Sequence, residues 1–300
     1  MAPDTTLPGL SEARCDNIDW LSSEGIERVR SIVSKRVPYE PSSFQLQNTA
    51  RLLNGQDVLC VTATGDGKTA LIYMYTMVRE GSIAVVLSPT NSLEADMVNN
   101  LSKLGISALA INAETTAAAA RSSPSRDIWE EAASGKYSII FCSPETLRTL
   151  ESREKFHAFV NNPDVRARLG LFVVDECHLV DEWREDFRKA YAQIKDVHPW
   201  LPPSTVMLAL TATLEPGRQT TRVIDCLGLS TRPFHFKKRD CERHNISIIF
   251  RTIRHAVSGT VFRDLDWLVP ADHIENACDI PKTLVYCETI ELGHRVARYL

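Results

Sequence analysis

"TATGDGKTAL" spans Thr62–Leu71, between an apolar run, "DVLCVTA" (57–63), and a helix-forming run. Gly65 and Gly67 permit a tight turn whose backbone N–H groups point inward at an anion. The helix that follows adds the positive end of its dipole at the same point. In this setting Lys68 neutralises the β- and γ-phosphates, and Thr69 offers a hydroxyl to Mg²⁺. The strict pattern places glycine at position 62, where this chain has Thr62, so the match is to the variant x-x-T-G-x-G-K-T. The plain alternative is a Gly-rich turn before a lysine-bearing helix.

Around this turn, short apolar runs alternate with helical patterns. "DVLCVTA", "SIAVVLS" (82–88), "YSIIFCS" (137–143), "LFVVDE" (171–176) and "VMLALTAT" (206–213) are too short for helices and show little alternation. Strands covered on both faces have this character. Amphipathic segments such as 66–79 and 91–104 lie between them. The repetition predicts a three-layer α/β domain with a mostly parallel sheet.

"FVVDECH" sets Asp175 and Glu176 at the carboxyl end of one such strand, where α/β sheets bind ligands. There Asp175 can hold Mg²⁺ through water, and Glu176 can orient and deprotonate an attacking water. Adjacent acids at a strand end can also simply cap a helix.

The formal net charge is −4, so contact with nucleic acid requires a local basic patch. The eight cysteines include no Cys-x-x-Cys pair, which fits reduced thiols of an intracellular protein. "MAPDTTLPGL" lacks the basic and apolar regions of a secretory signal. No apolar stretch approaches the length of a membrane span.

The small, polar "AETTAAAARSSPSR" (113–126) predicts a mobile loop. The composition shift around "STRPFHFKKRD" predicts a linker over 231–241. Strand signals return at "ISIIF" (246–250) and "KTLVYC" (282–287), and "TIELGHRVARYL" has helical spacing without a C-cap. These boundaries divide the chain into a tail (1–20), a first domain that carries the phosphate turn (21–230), the linker, and a second domain (242–300) expected to be incomplete.

"TATGDGKT", "DECH" and "LTAT", in this order, resemble superfamily 2 helicases of the DEAD/DEAH-box-like type, and most closely the RecQ-like DNA helicases. The resemblance runs from about residue 20 onward. It implies a RecA-like P-loop NTPase domain followed by the start of a second. The implied cofactors are ATP and Mg²⁺, with Thr64, Gly65, Asp66, Gly67, Lys68 and Thr69 around the phosphates. "FQLQNTARLLNGQDVL" looks like the Q motif, with Gln45 as its glutamine, and a carboxamide can pair with an adenine edge. "VVLSPTNSLEAD", "FCSPETL" and "KTLVYCETIELG" resemble motifs Ia, Ib and IV, and "ERHNI" resembles the family's Arg-x-Asn segment. Thr211 and Thr213 of "LTAT" resemble the motif that couples hydrolysis to DNA, and His178 belongs to "DECH". "LVDEWREDFRKAY" resembles the aromatic-rich loop, on the residues Trp183, Asp186, Phe187 and Arg188. An exposed tryptophan and phenylalanine beside an arginine suit stacking and phosphate contact with a single strand. On spacing alone, Trp183 and Phe187 could equally pack into a core.

The sequence departs from the family at Asp66 (usually glycine or serine), at Glu185 and Asp181–Glu182 in the loop, and at Pro41–Ser42. A carboxylate at 66 should repel phosphate unless it points away. The resemblance implies an ATP-dependent 3′–5′ helicase acting on single-stranded or partly duplex DNA, in the nucleus and in DNA repair. It also implies an arginine finger beyond Leu300, so the chain is expected to bind Mg²⁺·ATP but hydrolyse it slowly. An RNA-dependent ATPase of the DEAD/DEAH type and a non-catalytic nucleotide- or DNA-binding remnant remain as alternatives.

Overall fold

The structure is a computed structural model and describes residues 18–89, 91–147, 149–181, 194–269 and 282–300. Among these residues, seven strands form one sheet: β1 (Asp57–Val61), β2 (Ile83–Leu87), β3 (Ala108–Ile111), β4 (Ile139–Cys142), β5 (Leu169–Val174), β6 (Val206–Thr211) and β7 (Phe234–Lys238). Their order is β3-β4-β2-β5-β6-β1-β7, and every pairing is parallel. Parallel neighbours need long crossovers, and helices supply them.

β1, β2, β4, β5 and β6 are buried along their whole length. Their side chains alternate between two cores. Leu59, Val85, Ile140, Phe172 and Met207 enter one core, and Val58, Ala84, Phe141, Leu171 and Leu208 enter the other. The second core is closed by α1 (Ser23–Val33), α2 (Ser43–Leu53), α3 (Ala70–Val78) and α4 (Asn91–Lys103), which bring Val29, Leu46, Met74 and Leu101 to it. The first is closed by α5 (Ala113–Arg121), α6 (Ile128–Ala133), α7 (Leu150–Asn161), α8 (Pro163–Arg168) and a helix over Arg218–Cys226. Each fully buried phenylalanine or leucine contributes about 1.5–3 kcal/mol. α3, which follows the phosphate turn, is buried almost throughout. Its Tyr75 hydroxyl donates to Gly170 O at 3.1 Å. A Cβ at Gly170 would lie 2.6 Å from that hydroxyl, so glycine in β5 makes room for the tyrosine.

Three expectations change. Residues 113–126 are not all loop, because α5 covers Ala113–Arg121. Alanine is the best helix former, and Asn112 and Thr115 close a reciprocal capping box. The supposed linker 231–241 contains β7, an edge strand paired with β1. Lys237 and Lys238 disguised it, since charged residues are common on edges. The runs 246–250 and 282–287 carry no strand. Ile248 and Phe250 are 77% and 93% exposed. A strand is stable only when its backbone is paired, and neither run pairs among the described residues.

Contacts divide the chain after Arg243. In the second unit, Thr289 caps a helix over Ile290–Tyr299. Among the described residues, no helix is long and apolar enough to cross a membrane.

Candidate nucleotide site

β1, β6 and β5 are neighbours, and the three motif-bearing turns leave their carboxyl ends. Thr62 N donates to Thr211 O at 3.1 Å, joining the start of the phosphate turn to the end of β6. Gly65 and Gly67 have φ of +94° and +78°, as the turn requires. A side chain at Gly67 would also strike Gln45 Nε2 at 2.4 Å. Lys68 Nζ donates to Thr62 O at 2.8 Å and to Ala63 O at 3.2 Å. The ammonium thus lies over the turn, at the start of α3. Thr69 is the N-cap residue of α3 but makes no side-chain capping bond, so its hydroxyl is not committed to the helix.

Gln45 is brought to the cradle from α2. Its Oε1 accepts from Ser42 N at 2.9 Å, and its Nε2 donates to Gly67 O at 3.3 Å. The carboxamide therefore braces the turn with both of its polar atoms. Asp66 accepts a hydrogen bond from the Thr62 hydroxyl and lies 3.1 Å from Arg239 Nη1. Thr64 O accepts from Arg243 Nη1 at 3.2 Å. Arg243 is the arginine of "ERHNI", whereas Arg239 did not figure in the sequence reading, and nothing local in the sequence links either to the cradle.

Asp175 and Glu176 have different environments. Burial pushes the Asp175 carboxyl up to about 6, the neighbouring Glu176 charge adds to this, and Lys68 and His178 oppose it. The Glu176 carboxyl is lowered, first by its hydrogen bond with His178 and against the effect of burial. Its backbone φ is +48°, and it is the one non-glycine with positive φ among the described residues. That conformation costs on the order of 1–3 kcal/mol and tends to occur where function demands it. His178 Nδ1 is 3.3 Å from Glu176 Oε2 and 2.8 Å from Thr211 Oγ1. Thr211 Oγ1 donates to Thr213 O and accepts from Thr213 N, both at 3.1 Å. A continuous polar chain therefore runs from Glu176 through His178 to Thr211 and Thr213.

These residues fit Mg²⁺ bound with a polyphosphate. Hard carboxylate and hydroxyl oxygens suit Mg²⁺, and a buried, partly desolvated Asp175 is an acid that a cation would stabilise as carboxylate. The structure thus gathers Gln45, Thr64, Gly65, Asp66, Gly67, Lys68, Thr69, Asp175, Glu176, His178, Thr211 and Thr213 at one edge of the sheet. Trp183, Phe187 and Arg188 lie outside the described residues.

A family model described as DEAD/DEAH box helicase matches residues 42–221. The chain is 30% identical over 299 residues to the ATP-dependent DNA helicase Q-like 4B of Arabidopsis thaliana, covering 93% of this chain and 24% of that protein. It is 29% identical over 196 residues to the ATP-dependent DNA helicase RecQ of Bacillus subtilis, covering 64% of this chain and 30% of that protein. The chain thus spans less than a third of the length of these relatives. Among solved structures, the DUF1998 helicase MrfA bound to DNA aligns with a TM-score of 0.52 at 18% identity, over 71% of this chain and 29% of that one. That likeness is one of fold.

Proposed function

Because the chain belongs to the DEAD/DEAH box helicase family, we propose that it binds Mg²⁺·ATP at the carboxyl edge of β1, β5 and β6 and serves a RecQ-like, 3′–5′ DNA helicase. The observation that carries this reading is the continuous contact between three chain-distant segments. The cradle meets β6 through Thr62 and Thr211, and Glu176 meets β6 through His178 and Thr211. The similarity to RecQ-type DNA helicases supports DNA over RNA as the nucleic-acid partner. Nuclear location and a part in DNA repair belong to the same reading.

In this reading the N–H groups of Gly65–Thr69 and the Lys68 ammonium hold the β- and γ-phosphates. Magnesium, held by Thr69 and Asp175, would neutralise charge on the phosphates. Glu176 stays ionised beside His178 and takes the proton of the attacking water. His178 holds Glu176 in place and links it to Thr211 and Thr213, which gives nucleic acid a route to the chemistry. Trp183, Phe187 and Arg188 are the proposed contacts with single-stranded DNA. Adenine recognition by Gln45 requires its carboxamide to exchange a present protein partner for the base. In this reading the first RecA-like domain runs through β7 to Arg243, and the second begins at His244.

Glu176→Gln tests the assignment, because amide and carboxylate are nearly isosteric. In a chain that carries the whole second domain, affinity for Mg²⁺·ATP should stay within about twofold, while DNA-stimulated hydrolysis should fall about 10²–10⁴-fold. Hydrolysis at the parent rate would remove Glu176 from its role as base. Stronger stimulation by RNA than by single-stranded DNA would overturn the choice of nucleic acid.

A further inference from the structure

We propose that Arg239 is a positioning residue of the phosphate cradle, holding the Asp66 carboxylate on Thr62 so that an acid within the cradle does not oppose the nucleotide. This rests on the nucleotide reading above.

The cradle differs from the usual glycine-rich pattern at two positions, Thr62 and Asp66. The structure makes these two residues partners. Thr62 is fully buried, and its hydroxyl donates to Asp66 Oδ2. The same oxygen lies 3.1 Å from Arg239 Nη1. One carboxylate oxygen therefore takes both a hydroxyl and a guanidinium, and a charge-assisted bond is stronger than a neutral one.

Sheet register explains why Arg239 is there. β7 runs parallel to β1, with Lys238 opposite Val61. One residue further on, Arg239 N donates to Val61 O at 2.8 Å. The pairing thus continues past the strand and sets Arg239 beside Thr62, the first residue of the cradle. Its guanidinium also lies over the Phe44 ring, 5.0 Å from the centroid. Phe44 is buried at the start of α2, next to Gln45, which braces Gly67 O. A planar guanidinium can stack on a ring and hydrogen-bond a carboxylate at once, which an ammonium does poorly. Asp66 is thereby neutralised from outside the cradle, leaving Lys68 and the turn N–H groups to face the phosphates.

The test is a double-mutant cycle read by calorimetry of Mg²⁺·ATP binding to the full chain. Arg239→Ala should weaken binding about fivefold, the scale of a partly exposed ion pair. Asp66→Asn should bind more tightly than the parent, because it removes an acid from beside the phosphates. Adding Arg239→Ala to Asp66→Asn should then cost nothing further, because no charge remains to be held. Arg239→Lys should restore part of the loss, and high salt should shrink it. Parent-like affinity in Arg239→Ala would overturn the proposal. So would an equal loss in the Asp66→Asn background, which would assign Arg239 to direct nucleotide contact or to folding. Failure of the parent to bind Mg²⁺·ATP, or indifference to Lys68→Ala, would instead overturn the nucleotide reading and this inference with it.

Discussion

At the amino ends of β1 and β7, Asp57 meets Arg232. Near their carboxyl ends, Asp66 meets Arg239. Both pairs join the same two regions of chain, yet their surroundings differ. The Asp57 side chain is fully buried. Arg232 Nη2 donates to Asp57 Oδ1 at 2.7 Å and to Thr205 O at 2.9 Å, while Met207 N donates to Asp57 Oδ1 at 2.6 Å. The carboxylate is thus engaged by β6 as well as by the arginine. Asp66 and Arg239 have side chains 28% and 40% exposed and share a single 3.1 Å approach. The comparison teaches that burial turns an ion pair into a structural tie, whereas exposure leaves it able to respond to a ligand.

The sharpest way to break this contrast is Arg232→Ala. It strands a buried carboxylate, and losing one partner of a buried pair costs about 3–5 kcal/mol. The partial exposure of Arg232 puts the expected loss at about 3 kcal/mol, read as a shift in denaturant midpoint. A loss below about 1 kcal/mol, the range of exposed pairs, would erase the distinction between the two ends.

At the carboxyl end the contrast predicts the opposite separation of effects. Lys68→Ala should weaken Mg²⁺·ATP binding by about 1–3 kcal/mol, the scale of a lost charge-assisted hydrogen bond. Stability without nucleotide should change by about 0.5 kcal/mol or less. Calorimetry and denaturation on one preparation read both quantities. Equal affinity in the two forms would remove Lys68 from the cradle.

A third acid separates burial from pairing. Glu94 is fully buried, as Asp57 is, but its partner is neutral: Asn112 Nδ2 donates to Glu94 Oε2 at 2.8 Å. Glu94 Oε1 has no hydrogen-bond partner among the described residues. Burial pushes this carboxyl up to about 7, with Glu145 adding to the rise and Asn112 opposing it. The folded state therefore holds the proton more tightly than the unfolded chain. This contribution to stability is complete below the ordinary glutamate range and is lost as pH rises through about 7. The expected slope is about 1 kcal/mol per pH unit between roughly pH 5 and 7. Glu94→Gln should flatten it in melts taken across that window. An unchanged slope would show that Glu94 does not carry the proton.

Much of the sheet was legible in the sequence because a strand buried on both faces has to be continuously apolar. β1, β2, β4, β5 and β6 carry that signature. β7 does not, since its "FHFKK" faces solvent along one edge and its strand character comes from pairing with β1. α5 was hidden for another reason. Its alanines look like loop filler until Asn112 caps them. At 246–250 and 282–287 the composition of a strand is present without a pairing partner among the described residues.

The sequence by itself determined the chemistry available at the site. Glycines at 65 and 67, Lys68 and Thr69 lie in one turn, and Asp175 and Glu176 lie at one strand end, because such groups act over a few consecutive residues. Only the tertiary structure decided how that chemistry is held. It joined Glu176 through His178 to Thr211, turned the Gln45 carboxamide onto Gly67 O, and made Thr62 and Arg239 partners of Asp66. The physical reason is range. Hydrogen bonds and ion pairs act over about 3 Å, so residues far apart in sequence meet only where strand register and helix packing bring them together.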